Sequence, residues 1–349
     1  MVEDEGASGV DPPELLDQGD QTAGVERTSR TDRLPGVDQS SREIIVRLLA
    51  FFGMTLLFVL AFSVPAMLVA EWLAQLDGVE IDWKEMAQRV DDAYLIPLFY
   101  ATALAPFVQT WRTVRGKRLS WWEAGFRRRN LIGDLFVGLV IGAGSFAIVP
   151  VLAAAFGWVE IEYAPAGDAY WGTLPVAFHL LLVAAAAEEF VLRGVPLALI
   201  ARRNLPLAIL VTSFIFSILH APNAGFNWVA LLEIMAAGIV LAIARLRSGA
   251  LWLPIGWHLG WNLSQGWLFG CVVSGHEAST APLLATYFSG PEVLTGGEFG
   301  PEAGLFSVVA EVVTFYFYMH LVPGRIHDWY RSGTVPGYSR EGGGKMMPR

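Results

Sequence analysis

The sequence predicts an all-α, polytopic membrane protein with eight transmembrane helices and both termini in the cytoplasm. Three observations carry this expectation. Of 349 residues, 54% are hydrophobic and 16% charged, where soluble domains average about 25% charged, and the mean hydropathy is +0.46. Apolar runs close to the ~20 residues of a spanning helix recur with polar breaks between them. The breaks alternate between basic and acidic, as cytoplasmic and external loops do.

Residues 1–43 read as a disordered acidic cytoplasmic tail, because Met1 to Arg42 set ten acidic residues against four arginines with little to bury. The tail lacks the basic start and apolar core of a cleavable signal peptide. The membrane domain, residues 44–322, holds the eight runs: 44–76, 93–111, 131–158, 172–200, 205–221, 228–246, 250–273 and 304–322. Arg112, Arg115, Lys117, Arg118, Arg127, Arg128 and Arg129 follow the second run, Arg202 and Arg203 the fourth, and Arg245 and Arg247 the sixth. The breaks after the first, third and seventh lean acidic, with Asp77, Glu80, Glu160, Glu162, Glu292, Glu298 and Glu302 among their charges. Residues 274–303 read as an external Gly/Pro-containing loop, and 323–349 as a polar cytoplasmic tail.

A net charge of −9 gives a nucleic-acid surface no global support. A lone cysteine, Cys271, permits neither an internal disulfide nor a cysteine-ligated zinc site, and it reads as a small apolar filler.

Ionisable groups inside membrane helices cost about 2.5–3.5 kcal/mol each on the insertion scale, so they pair or line a site. The fourth run carries Glu188, Glu189 and Arg193. Glu189 and Arg193 are four apart and share a helix face, whereas Glu188 lies about 100° away and needs another partner. His220, near the end of the fifth run, and His258 with Asn262, four apart in the seventh, fall at a matching depth when counted at ~1.5 Å per residue. The alternative is purely structural, with an ion pair in one helix and helix-to-helix hydrogen bonds elsewhere. His179, Glu233, Glu311 and His320 read as satisfied or interfacial groups.

Two chemistries suit this set. In one, Glu188 acts as general base on a water shared with His220, while His258 and Asn262 stabilise a developing oxyanion. In the other, Glu188, His220 and His258 ligate zinc and leave a position for water. No HExxH helix and no GxSxG elbow is present.

Glu188 to Arg193 (EEFVLR), Phe216 to His220 (FSILH) and His258 to Asn262 (HLGWN) resemble the EExxxR, FxxxH and HxxxN/D motifs of the CPBP intramembrane proteases, the CAAX prenyl protease and Abi family. The resemblance covers residues 174–273. It implies an α-helical endopeptidase with Glu188 as base, His220 helping to activate water, His258 and Asn262 as the oxyanion hole, and Glu189 with Arg193 in support. Family members are often labelled metalloproteases, yet a glutamate mechanism without metal is also ascribed to them, and the latter is favoured here. The implied setting is the lipid bilayer, expected to be a bacterial cell membrane. The implied partner is a membrane-associated protein or peptide. The competing reading is a transporter or non-catalytic scaffold using the same charges for proton coupling or helix packing, although the paired broken helices of inverted repeats are not found.

Overall fold

The computed structural model describes residues 41–81, 96–116, 119–128, 130–164, 168–276 and 281–321. The expected tails, residues 1–40 and 322–349, and the basic Lys117, Arg118 and Arg129 lie outside the described residues.

Each apolar run is helical over most of its length. The helices are α1 (Ser41–Leu76), α2 (Ile96–Arg115), α3 (Leu131–Ala155), α4 (Asp168–Glu189), α5 (Val195–Ala201), α6 (Leu205–Leu219), α7 (Trp228–Ser248), α8 (Trp252–Leu263), the short α9 (Glu292–Thr295) and α10 (Leu305–Leu321). A π-helical turn, Phe190–Gly194, joins α4 to α5, and a second, Ser264–Leu268, extends α8. Asn204 starts α6 by accepting from the Leu207 amide, and Asn227 starts α7 by accepting from Val229 and Ala230, as capping residues do. Gly249, with φ of 68°, closes α7 in the left-handed conformation that glycine adopts without penalty.

The protein is mostly helical, and among the described residues four helical stretches are long and apolar enough to cross a membrane: 41–76, 131–155, 170–201 and 228–248. The fifteen residues of α6 rise only about 22 Å, short of a hydrocarbon core of about 30 Å. Length and apolar composition together thus mark four crossings among the described residues, and the expected eight rest on the apolar runs and the loop charges.

One short strand pair accompanies the helices. Strands β1 (Val159–Tyr163) and β2 (Leu284–Phe288) form an antiparallel pair in which Val159 faces Phe288 and Tyr163 faces Leu284. Part of the expected loop 274–303 is thus a strand joined to the segment that follows α3, and its backbone groups find partners there.

The closest helix contact sets α3 against α8. Gly138 and Gly142 abut the backbone of Leu253 and Trp257, while Gly256 and Gly260 abut that of Leu135 and Leu139. A Cβ at any of the four would fall inside contact distance of a carbonyl on the facing helix. This reciprocal small-xxx-small pairing lets two backbones meet where lipid offers no hydrophobic drive. At one end of the bundle, Arg202 pairs with Glu123, Arg245 Nη2 donates to the Glu123 carbonyl at 2.9 Å, and Trp252 Nε1 donates to the Arg127 carbonyl. Residues 119–128 are thereby tied to α5, α7 and α8.

Candidate active site

The site assembles from the end of α4, the end of α6 and the middle of α8. Glu189 and Arg193 are fully buried and paired, with Arg193 Nη1 donating to Glu189 Oε1 at 3.0 Å. The π turn between them preserves the contact. Arg193 also donates through Nη2 to the Gly238 carbonyl at 3.2 Å and lies 4.3 Å from the centre of the Phe216 ring. One buried cation thus meets a carboxylate, a carbonyl and an aromatic face, which together offset its desolvation.

His258 receives both glutamates. Its Nδ1 lies 3.3 Å from Glu189 Oε1, and its Nε2 lies 3.8 Å from Glu188 Oε2. A carboxylate paired with arginine only accepts, so Nδ1 carries the proton donated to Glu189. The 3.8 Å separation exceeds direct hydrogen bonding and suits a bridging water. Glu188 Oε2 is buried without a hydrogen-bond partner, although the side chain as a whole is 40% exposed. Adjacent residues in the chain thus address the two nitrogens of one ring.

His220 caps the C-terminus of α6, and its Nδ1 lies 2.8 Å from the Phe216 carbonyl. Because a carbonyl only accepts, Nδ1 donates, leaving Nε2 of the neutral ring as an acceptor. Phe216 stands between the histidines, its ring centre 4.9 Å from that of His220 and 5.9 Å from that of His258. The shortness of α6 places its end, and with it His220, part-way along the bundle. Irregular backbone at membrane depth is tolerated where it is buried in protein or lines a polar cavity.

Such a cavity is present. It measures about 40 Å³ and is lined by His220, His258, Asn262, Glu233, Glu302 and Glu311 together with Phe216, Trp257 and Trp261. A water needs roughly 10–15 Å³ by this measure, so the space suits a few waters. Glu188 meets His258 beside this cavity and is not among the residues lining it. Of the sequence candidates, Glu188, Glu189, Arg193 and His258 form one connected cluster, and His220 and Asn262 join it through the cavity that His258 also lines.

Glu233 and Glu311 depart from the expectation that they are satisfied: both line the cavity, and each has a buried Oε2 without a partner among the described residues. Glu302, noted in the sequence only as a loop charge, accepts from Ser274 Oγ at 2.5 Å at the cavity wall. Burial lifts its carboxyl above the ordinary value, opposed by the Ser274 hydrogen bond and by His220. Burial holds the His276 imidazole below its usual value, and His220 adds to that effect. His179 and His320 lie elsewhere, against the rings of Tyr100 and Tyr316.

The zinc alternative requires three ligands around one point. Among the described residues, no group of three or more His, Cys, Asp or Glu side chains is disposed to hold a metal ion, although the Nδ1 contact of His258 with Glu189 is one that zinc-ligating histidines also make.

Residues 170–264 match the family model for Rce1-like type II CAAX prenyl endopeptidases. The match spans all three motifs and places this segment among the CPBP intramembrane proteases. No curated protein and no solved structure matches the chain.

Proposed function

We propose that this CAAX-protease segment makes the protein an intramembrane endopeptidase, hydrolysing a peptide bond in a membrane-associated protein or peptide with Glu188 as general base. The observation that carries the reading is the approach of Glu188 and Glu189 to opposite nitrogens of His258, beside the cavity lined by His220 and Asn262.

A water between Glu188 and His220 loses a proton to the Glu188 carboxylate as its oxygen attacks the carbonyl carbon. The unprotonated Nε2 of His220 accepts a hydrogen bond from the O–H that the water keeps and fixes the attack direction. The carbonyl oxygen gains the negative charge, and the Asn262 amide and His258 Nε2 face it as donors. With Nδ1–H committed to Glu189, Nε2 donates only when the ring carries both protons, and the Glu189 carboxylate supplies the counter-charge once Glu188 has taken the water's proton. Arg193 holds Glu189 in place. Collapse of the tetrahedral intermediate breaks the C–N bond, and the proton stored on Glu188 passes to the departing amine.

The test is cleavage of a membrane-delivered peptide library by purified wild type and Glu188→Gln, each with and without a strong chelator. Wild type is expected to cleave in both conditions. Glu188→Gln is expected to lose at least about 10²-fold, the lower range for a general base. Activity abolished by chelation and restored by zinc overturns the metal-free mechanism, and equal activity in both proteins removes Glu188 as the base.

A further inference from the structure

We propose that the carboxylates of Glu233, Glu302 and Glu311 form a subsite for a primary ammonium group, supplied by a lysine side chain of the peptide substrate. The inference rests on the endopeptidase reading and adds to it what the substrate carries.

Three elements contribute acids to the lining of the cavity: Glu233 from α7, Glu311 from α10, and Glu302 from the turn preceding α10. None of the three belongs to the motif set. Glu233 and Glu311 are 2% and 4% exposed, line the cavity and each leave Oε2 without a hydrogen-bond partner. Glu311 lies within electrostatic range of both Glu233 and Glu302. Three acids sharing a desolvated space with unused acceptors are costly unless a cation or protons compensate them. Among the described residues, the cavity is lined by no lysine or arginine. Arg193 is committed to Glu189, Gly238 and Phe216, and the imidazoles of His220 and His258 are engaged by the Phe216 carbonyl and Glu189. A ligand cation entering the cavity would meet these acceptors and release the protons that burial otherwise favours.

The size of the cavity selects among cations. Room for a few waters in about 40 Å³ accepts a compact ammonium, a point charge with three donors on a flexible apolar stem, better than the planar five-donor fork of guanidinium. The stem matches the aromatic side of the cavity, where Phe216, Trp257 and Trp261 lie, and three N–H donors match three carboxylates. His258 and Asn262 line the same cavity, so an ammonium held here sits within a side chain's length of the bond to be cut.

The experiment compares detergent-purified full-length wild type with Glu233→Gln/Glu311→Gln on one membrane-delivered peptide, with lysine or norleucine placed in turn at each position around the cleaved bond. A further arm carries a free or acetylated N-terminus to separate an α-amine from the side chain. At one position wild type is expected to favour lysine by about ten- to a hundredfold in kcat/KM, the range for hydrogen bonds to a charged group. In the double variant the lysine-to-norleucine ratio is expected to fall to within about threefold of unity. A ratio near unity in wild type at every position, or one that survives the substitutions, overturns the proposal, as does a preference that follows the free N-terminus. If neither protein cleaves any peptide, the endopeptidase reading fails and the subsite is judged by binding: n-butylammonium should raise the Tm of wild type and not that of the variant, and equal shifts overturn it. Should the double variant fail to fold, Glu302→Gln, at the end of the cavity nearest the loop, takes its place in both measurements.

Discussion

Glu189 Oε1 serves two partners at once, Arg193 at 3.0 Å and His258 at 3.3 Å, so a change there reaches both. Removing one member of a buried ion pair strands the other charge at a cost of about 3–5 kcal/mol. Glu189→Gln is therefore expected to lower stability by that order in thermal unfolding of the purified protein, and Arg193→Met/Glu189→Gln to recover much of the loss. Glu188→Gln, at a position 40% exposed and without an arginine partner, should unfold within a few degrees of wild type; a larger drop than in Glu189→Gln would reverse the proposed division of labour. The four-residue spacing of Glu189 and Arg193 and of His258 and Asn262 was legible from helical periodicity. The pairing of both glutamates with one imidazole was not, because periodicity gives directions around each helix and no rotation of one helix against another. The unsatisfied state of Glu233 and Glu311 was hidden for the same reason, and Glu302 reaches the cavity only because the chain folds back before α10.

Helix geometry fixes where these side chains meet, and the α3–α8 contact supplies most of it. Gly142 and Gly260 each touch a facing backbone carbonyl, and His258 and Asn262 are two residues to either side of Gly260. Gly260→Ala should push the helices apart, costing about 1–3 kcal/mol of overpacking and lowering cleavage through displacement of His258 and Asn262; Gly144→Ala, where added volume meets nothing, is the matched control in the same unfolding and activity assays. Hydropathy located every helix but the four-residue α9, because burial in lipid requires continuous apolar sequence. It could not reveal the π turns at 190–194 and 264–268, whose wider hydrogen-bond spacing leaves no hydrophobic signature in five residues. The strand Val159–Tyr163 did carry a signal, since V-E-I-E-Y alternates with period two, but its partner L-A-T-Y-F does not, and one short alternating segment does not announce a sheet.

At the scale of the whole molecule, the remaining question is how the chain threads the bilayer. The loop charges carry the expectation that the segments 112–130, 202–203 and 245–249 lie on one side and those around Glu162 and Glu298 on the other. In a Cys271→Ala background, single cysteines at Arg203 and Glu162 are expected to react with a membrane-impermeant maleimide from opposite faces of sealed vesicles; labelling from the same face would remove the eight-crossing arrangement. The strand pair bears on how that threading ends. Tyr163 can find Leu284 only after the chain between them, including every segment that bears a motif residue, has been made and inserted. The pairing is thus a late, long-range closure: its hydrogen bonds form once α4 to α8 are in place, so protection of the Val159–Tyr163 amides from exchange would serve as a clock for completed assembly.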